Sequence, residues 1–149
     1  MHIKVISVGK LSENFQQIAQ NYKKMIKWSI REYEIFYSKK LPSGQIKQFE
    51  ATLISKYLAP KSYKVALDQT GKAMSSHEFS ELISNNLMSS KDIEFIIGGA
   101  FGIDNSILAQ VDMRLSLSQM TLPHQMAKIL LLEQIYRSQT ILENHPYHK

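Results

Sequence analysis

The segment Leu115-Ser-Leu-Ser-Gln-Met-Thr-Leu-Pro-His124 concentrates residues able to bind a small molecule. A strand-like alternation ends there in hydroxyl and amide side chains, Pro123 fixes the backbone, and a long apolar helix pattern begins at once. Backbone N–H and C=O groups at such a strand-to-helix corner point outward and are free to hydrogen-bond a ligand. The chemistry that this corner offers is therefore recognition of a small ligand through the main chain.

Two similar corners lie upstream, at Leu67-Asp-Gln-Thr-Gly71 and Ile96-Ile-Gly-Gly-Ala-Phe-Gly102. Each follows a predicted strand, and ligands of open α/β sheets bind beyond the carboxyl ends of the strands. Glycines at 98, 99 and 102 let a ligand approach the backbone, although a Gly-Gly pair is also typical of a simple tight turn. Their spacing is not the dinucleotide-binding G-x-G-x-x-G, and no Walker-type lysine follows them. The three corners together suggest one composite ligand site.

Alternating strand and helix patterns must position these corners. Strands are predicted at residues 2–8, 33–37, 63–67, 93–97 and 113–117, and helices at 12–26, 46–58, 75–87, 104–110 and 124–142. Ser12, Ser75 or Ser76, and Asp104 are expected to cap the helices that follow them. Such an order predicts an α/β fold, a mostly parallel sheet with helices on both faces, in one domain of residues 1–149. The pattern leaves the strand order open.

The composition, with 44% hydrophobic and 21% charged residues, is typical of a globular protein. No apolar run approaches the roughly 20 residues of a membrane span, and the first residues show no export leader. Zero cysteines exclude disulfides and thiolate chemistry. These observations predict a cytoplasmic protein with no membrane partner.

Positive charge is concentrated in the first half of the chain. Residues 1–72 hold 13 of the 18 Lys and Arg residues and five of the 13 acids, a balance of +8, whereas the remainder carries −3. Lys23, Lys24 and Lys27 fall within about one helical turn and are expected to form a local patch. This asymmetry suits a polyanion such as nucleic acid, and it is equally consistent with a generally basic solvated surface.

Five segments spread over the whole chain carry a resemblance to a known family. They are Ile3-Lys-Val-Ile-Ser-Val-Gly-Lys10, Gly98-Gly-x-x-Gly102, Leu115-Ser-Leu-Ser-x-Met-Thr-Leu-Pro-His124, Glu133-Gln-Ile-Tyr-Arg137 and Asn144-His-Pro-Tyr-His-Lys149. Together they resemble the small SPOUT-class methyltransferases, and in particular the ribosomal RNA large subunit methyltransferase H family, which methylates N3 of a pseudouridine in 23S rRNA. The resemblance implies a homodimer whose C-terminal segment passes through a deep trefoil knot, a threading that pattern rules alone would reject.

The resemblance also implies that S-adenosylmethionine binds among the three corners. The residues that it assigns to the cofactor are Leu67, Gly98, Leu117, Ser118, Gln119, Met120, Thr121 and Leu122. Leucines can form an apolar slot for the adenine, and loop main-chain groups can read its polar edge. Asp68 could hold the ribose, or it could serve only as a turn or cap residue. The activated methyl needs no metal and no covalent nucleophile from the protein.

The acceptor N3 must lose a proton, so a general base or a group that stabilises the anion is expected. His148 and Tyr147 have suitable chemistry, and Lys149 could steady negative charge. A polar C-terminal end is otherwise typical of a frayed tail. In the family that end completes the partner subunit's active site, and a basic residue at the place of Arg137 lies near the cleft, where it could contact a phosphate. His124 is expected to have a structural role.

The face formed by Met126, Ile129, Leu130, Glu133 and Arg137 suits packing against the partner subunit. Three other functions remain open: methylation of another RNA such as tRNA, a non-catalytic ribosome-binding module that retains the fold, and a nucleotide-dependent oxidoreductase, which the displaced glycine pattern argues against. The leading hypothesis is an enzyme that acts on the large subunit or assembled 70S ribosome, because a chain of this size lacks an added RNA-binding domain.

Overall fold

The described part of the chain, residues 2–149 of a computed structural model, alternates five strands with five helices. The strands are β1 (His2–Val8), β2 (Ser29–Ile35), β3 (Tyr63–Ala73), β4 (Ile93–Ile97) and β5 (Met113–Ser116). The helices are α1 (Glu13–Met25), α2 (Ser43–Ser55), α3 (Ser76–Met88), α4 (Asn105–Leu108) and α5 (His124–Leu142). The predicted α/β class is confirmed.

The strands form one sheet in the order β2-β1-β4-β3-β5, and all four pairings are parallel. Parallel strands run toward the same edge of a sheet, so residues 68–71 of β3 are brought side by side with the segments that follow β4 and β5. The three corners picked out in the sequence are these segments. The trefoil knot stays a prediction, because strand order alone does not describe threading.

Apolar side chains alternate between the two faces of the sheet. In β1, Ile3 and Val5 face a core shared with α3 and α5, whereas Ile6 and Val8 face a core shared with α2 and α4. A third cluster joins α1 to α5 and includes the buried Ile129. Ile129 therefore packs inside the subunit, and its predicted place on a partner-facing surface is wrong. Within residues 2–149, no helix is long and apolar enough to cross a bilayer.

Three strands differ from the sequence prediction in their bounds, although β5 differs only by ending at Ser116 and not at Leu117. β2 begins at Ser29 and ends at Ile35, earlier than the predicted 33–37, because it pairs in register with β1 from His2↔Ser29 to Val8↔Ile35. β3 continues to Ala73, past the predicted stop. Its pairing with β5 shifts between Leu67 and Lys72, so residues 68–71 bulge out of the ladder while the strand resumes behind them.

Helix starts follow local hydrogen bonding. The Ser75 hydroxyl accepts from Glu78 N at 3.1 Å, and Glu78 Oε2 accepts from Ser75 N at 2.7 Å, which is a capping box and settles the choice between Ser75 and Ser76. Asp104 caps α4 as predicted by accepting from Ser106 N. Ser12 stands at the N-cap position of α1 without a side-chain capping bond.

Gly9 closes β1 in a conformation that other residues rarely adopt. Its φ is +97°, and an added Cβ would lie 2.5 Å from His124 Nε2. We expect Gly9→Ala to lower the free energy of unfolding by about 1–3 kcal/mol through backbone strain, with the steric clash adding to this, as measured by urea denaturation. Gly44→Ala is the matched control, since a Cβ there meets nothing within 4 Å. Equal unfolding free energies of the two variants would contradict the prediction.

Candidate functional site

A cavity of about 750 Å³ opens at the carboxyl edge of the sheet, where the bulge of β3 and the segments after β4 and β5 converge. This volume falls within the range of small-molecule sites. Its walls are residues 67–70, 97–103, 115, 117, 118 and 120–124, together with Ala127. The structure therefore joins the three corners into one pocket, as the sequence suggested.

The wall after β4 is a tight glycine turn. Gly102 N donates to Gly99 O at 3.0 Å, and Gly102 has a φ of +82°. A Cβ added to Gly98 would lie 2.7 Å from Ile103 Cγ1 and 2.9 Å from the backbone carbonyl of Gly102. Glycine is thus required at position 98, because Ile103 and the Gly102 carbonyl occupy the space of a side chain. Without side chains, Gly98 and Gly99 present their backbone to the cavity.

The leucines predicted for the apolar slot, Leu67, Leu117 and Leu122, are half-buried, line the cavity and pack against the main core. Ser118, Met120 and Thr121 also line it. Gln119 is exposed and is not among the lining residues, so its contact with the cofactor stays a prediction. The three leucines thus form an apolar slot that is bordered by hydroxyl and main-chain groups of the loops.

Side-chain bonds hold the loops in place around the cavity. The Thr121 hydroxyl donates to Gln69 Oε1 at 2.7 Å, and this bond connects the segment after β5 to the bulge of β3. The Ser116 hydroxyl donates to Ser118 O at 2.9 Å. Asp68 Oδ1 accepts from both the backbone and the hydroxyl of Thr70 at 2.9 Å, so the structure shows the turn role of Asp68. Its contact with a ribose stays a prediction, although Asp68 does line the cavity.

His124, the first residue of α5, lines the cavity and packs on Gly9. Its Nε2 is buried and has no hydrogen-bond partner within residues 2–149. The close packing against Gly9 agrees with the structural role expected for His124.

A buried carboxyl that sequence reasoning missed lies behind the glycine turn. Glu50 of α2 is buried, accepts a hydrogen bond from the Tyr37 hydroxyl at 2.9 Å, and its carboxylate would lie within about 3 Å of a Cβ on Gly99. A signal was present in the sequence, since Ile46, Glu50 and Ile54 are spaced by four and share the inner face of the helix. Glu50 and Tyr37 therefore support the wall of the cavity from outside.

Burial raises the pKa of Glu50, and the Tyr37 hydrogen bond and the Gly99 backbone only partly counter that effect. Because the folded-state pKa lies above the unfolded value, the stability linked to this proton is fully present below the unfolded pKa and is lost as pH rises through the folded one. We therefore expect Glu50→Gln to gain stability relative to the wild type as pH increases from about 4 to 8. Urea unfolding across this range tests it, and a pH-independent difference would contradict it.

The residues predicted for the acceptor chemistry form a cluster at the other end of α5. Arg137 donates through Nε and Nη2 to Glu133 Oε1 at 2.9 and 2.5 Å, and its Nη1 lies 3.1 Å from His148 Nδ1. The Tyr147 hydroxyl donates to the same Glu133 oxygen at 3.1 Å, and the Arg137 guanidinium lies 4.8 Å from the centre of the Tyr147 ring. The His148 ring also packs edge-on against His77 of α3 at 4.8 Å. The C-terminal end is thus docked and has partners.

Electrostatics fix the charge states within this cluster. The hydrogen bond to Glu133 raises the pKa of Arg137, which stays a cation. Burial first, and then the Glu133 hydrogen bond, raises the pKa of Tyr147. Tyr147 is therefore a hydrogen-bond donor at neutral pH and is unsuited to removing a proton. Arg137 Nη1 can only donate, so His148 Nδ1 accepts from it in this arrangement. The part that His148 takes in proton transfer stays a prediction.

The cluster does not line the cavity. Arg137 lies 13 residues after the cavity-lining His124 on one helix, a separation of about 20 Å at 1.5 Å per residue. The structure thus brings the predicted cofactor residues together and separately brings the predicted acceptor residues together. Within one protomer the two groups lie far apart.

Residues 1–148 match the family model described as "Predicted SPOUT methyltransferase". The chain is 40% identical over its full length to the ribosomal RNA large subunit methyltransferase H of Clostridium botulinum (strain 657 / Type Ba4), all of whose length is covered as well. It is 42% identical to the protein of the same name from Clostridium kluyveri, again with full coverage of both chains.

Solved structures of low sequence identity share the fold. A probable methylase family protein from Haemophilus influenzae Rd KW20 superposes with a TM-score of 0.58 at 15% identity, covering 99% of this chain and 70% of that one. A putative RNA methyltransferase from Bacillus anthracis gives a TM-score of 0.54 at 10% identity, covering 97% and 96%.

Proposed function

Because the chain belongs to the SPOUT methyltransferase family, we propose that it transfers the methyl group of S-adenosylmethionine to N3 of a pseudouridine in 23S rRNA. The observation that carries the proposal is the single cavity built from the ends of three neighbouring strands, in a chain similar over its whole length to ribosomal RNA large subunit methyltransferases H. Such a substrate implies a cytoplasmic enzyme.

The cavity fits the donor on its own geometry. The slot formed by Leu67, Leu117 and Leu122 suits the flat face of adenine. Gly98 has no room for a side chain, so its main chain borders the cavity directly. When bound, S-adenosylmethionine supplies an activated methyl on a sulfonium. The residues of the chain then bind, orient and exclude water, and most of their contribution is alignment of donor and acceptor.

The acceptor requires control of one proton. N3 of the uracil ring lies between two carbonyls, so its deprotonation places negative charge on their oxygens. We propose that the Arg137 guanidinium leaves His148 Nδ1 when the acceptor binds, and that the freed Nδ1 accepts the N3 proton. The Arg137 cation and the Tyr147 hydroxyl then stabilise the charge that develops on the carbonyl oxygens. Glu133 positions both of these groups through its Oε1. In this scheme the chemistry needs no metal ion.

These roles place the tail of one subunit over the cavity of another. A separation of about 20 Å along α5 keeps the Arg137 cluster away from the cavity of its own protomer. We propose a homodimer, with each subunit supplying the acceptor residues to its partner's cofactor pocket. Met126 and Leu130, which are partly exposed on α5, are proposed to pack at the interface.

The test uses large ribosomal subunits and 70S ribosomes from a strain that lacks this gene. Purified protein and methyl-labelled S-adenosylmethionine are added, and the rRNA is digested and analysed by mass spectrometry. We expect one methyl on N3 of one pseudouridine, and much slower methylation of naked rRNA fragments. Labelling of tRNA instead would indicate another RNA substrate. Failure to bind the donor by titration calorimetry would indicate a non-catalytic module.

A further inference from the structure

Within the described residues, three of the 13 basic residues in the first half of the chain have acidic partners. Lys23 pairs with Glu32, and Lys27 pairs with Glu143 at 2.9 Å, so two of the three lysines expected to form a patch have acidic partners. Lys4 pairs with Glu94 at 2.6 Å. These three lysines are therefore poor candidates for binding a polyanion, and lysines without acidic partners are better ones.

Three exposed lysines lie at the carboxyl edge of β1, which neighbours β4 in the sheet, and of β2, which lies beyond β1. Lys10 follows Gly9 at the end of β1, and Lys39 and Lys40 lie in the segment between β2 and α2. In the part of the chain that the structure describes, no carboxylate lies within salt-bridge distance of these ammonium groups. We call Lys10, Lys39 and Lys40 the basic edge.

The basic edge adjoins the wall of the cavity. Lys39 Nζ lies 5.2 Å from the centre of the Phe49 ring, which packs on Tyr37 at 5.1 Å. Tyr37 in turn bonds Glu50, whose carboxylate lies behind Gly99. Lys10 follows directly on Gly9, which packs against the cavity-lining His124. A short series of contacts thus connects the lysines to the cofactor cavity.

Two exposed aromatic rings accompany these charges. Phe101, in the glycine turn that lines the cavity, is 51% exposed, and Phe36, directly after β2, is 71% exposed. Large apolar side chains have no intramolecular reason to stay this exposed, and flat rings beside lysines are the combination with which proteins hold unpaired nucleotides. Phosphates pair with the ammonium groups, and bases stack on the rings.

We propose that the basic edge, with Phe36 and Phe101, binds the phosphate backbone of the RNA that leads to the acceptor nucleotide. This inference rests on the proposed function, because it takes the acceptor to be RNA and the cavity to be the place of transfer. It names the lysines that contact RNA, and it excludes the paired Lys4, Lys23 and Lys27 from that role. Each phosphate contact releases condensed counterions, so binding must weaken as salt increases.

The test compares two triple variants of the full-length protein. Lys10→Ala/Lys39→Ala/Lys40→Ala removes the basic edge. Lys56→Ala/Lys61→Ala/Lys91→Ala removes three exposed lysines that also lack an acidic partner but lie by the amino ends of β3 and β4, at the opposite edge of the sheet. Both variants lose the same net charge. Binding to large ribosomal subunits from the deletion strain is measured by co-sedimentation over a series of salt concentrations.

We expect the basic-edge variant to bind at least about 10-fold more weakly at low salt, with a slope of log affinity against log salt that is shallower by about 2 to 3. Its affinity for S-adenosylmethionine should equal that of the wild type, which shows that the fold is intact. The opposite-edge variant should keep the wild-type slope. Phe101→Ala should weaken binding by about 5- to 100-fold through lost stacking, with the salt slope unchanged.

Equal losses in the two triple variants, or an unchanged slope in the first, would overturn the basic edge as the RNA contact. If the wild type methylates the subunits but the basic-edge variant keeps the wild-type salt slope, the proposed function is supported and this inference is contradicted. If the wild type binds subunits through these lysines but does not methylate their rRNA, the basic edge is supported as an RNA contact and the proposed function is contradicted. A wild type with no affinity for subunits overturns both.

Discussion

Replacing Gly98 by valine is expected to abolish measurable binding of S-adenosylmethionine, with a loss of at least about 100-fold, or about 2.8 kcal/mol. A Cβ at this position would meet the Gly102 carbonyl at 2.9 Å and Ile103 Cγ1 at 2.7 Å. The first of these is backbone, so the turn itself must move, and a branched side chain increases the displacement. The turn forms one wall of the cavity, and the leucines of the proposed adenine slot line the same cavity.

The loss of binding must be separated from loss of the fold. Calorimetric titration gives the affinity for S-adenosylmethionine, and circular dichroism and sedimentation report whether the variant stays folded and dimeric, as we expect. Gly44→Val is the matched control, because an added Cβ there meets nothing within 4 Å. A folded Gly98→Val protein that retains wild-type affinity would place the donor site away from the three corners.

Fold class and most elements followed from the sequence because their signals are local. Apolar runs gave β1 and β4, and the helical spacing from His124 to Leu142 gave α5 with the bounds that the structure shows. β2 was placed too late, because its limits come from pairing with β1 and not from its own apolar residues. The continuation of β3 to Ala73 was missed for a related reason. The bulge at residues 68–71 separates two parts of one strand, and its polar residues are typical of the end of a strand.

The corners that line the cavity were predictable because glycine, proline and hydroxyl residues mark turns in the sequence itself. Glu50 was not predicted to support the glycine turn, because that contact joins α2 to a segment about 50 residues away and leaves no mark on the spacing around Gly99. The pairing of Lys27 was likewise hidden, since its partner Glu143 lies near the other end of the sequence. The partner of Lys23 is Glu32 of β2, only nine residues away. Net charge by segment therefore overstated the patch on α1.

The second large effect follows from the proposed homodimer with shared sites. His148→Ala should lower kcat for methyl transfer by about 100- to 10,000-fold, the usual contribution of a positioned general base. It should leave the affinity for S-adenosylmethionine unchanged, because His148 lies outside the cavity of its own subunit. Single-turnover methylation of large subunits measures the rate. Lys149→Ala, which changes the adjacent exposed residue, is the control and should have a much smaller effect.

Mixing Gly98→Val and His148→Ala protomers decides which subunit's tail acts on which cavity. In a heterodimer, the intact cavity of the His148→Ala protomer faces the intact tail of its Gly98→Val partner, so one complete site forms. Random exchange makes half of the dimers mixed, and each has one working site of two, so about a quarter of wild-type activity should return. If each tail served its own subunit, neither protomer could form a complete site, and the mixture would stay as inactive as its parts. Mixing His148→Ala with Tyr147→Ala protomers is the control, because no recovery of comparable size is expected when both protomers carry defective tails.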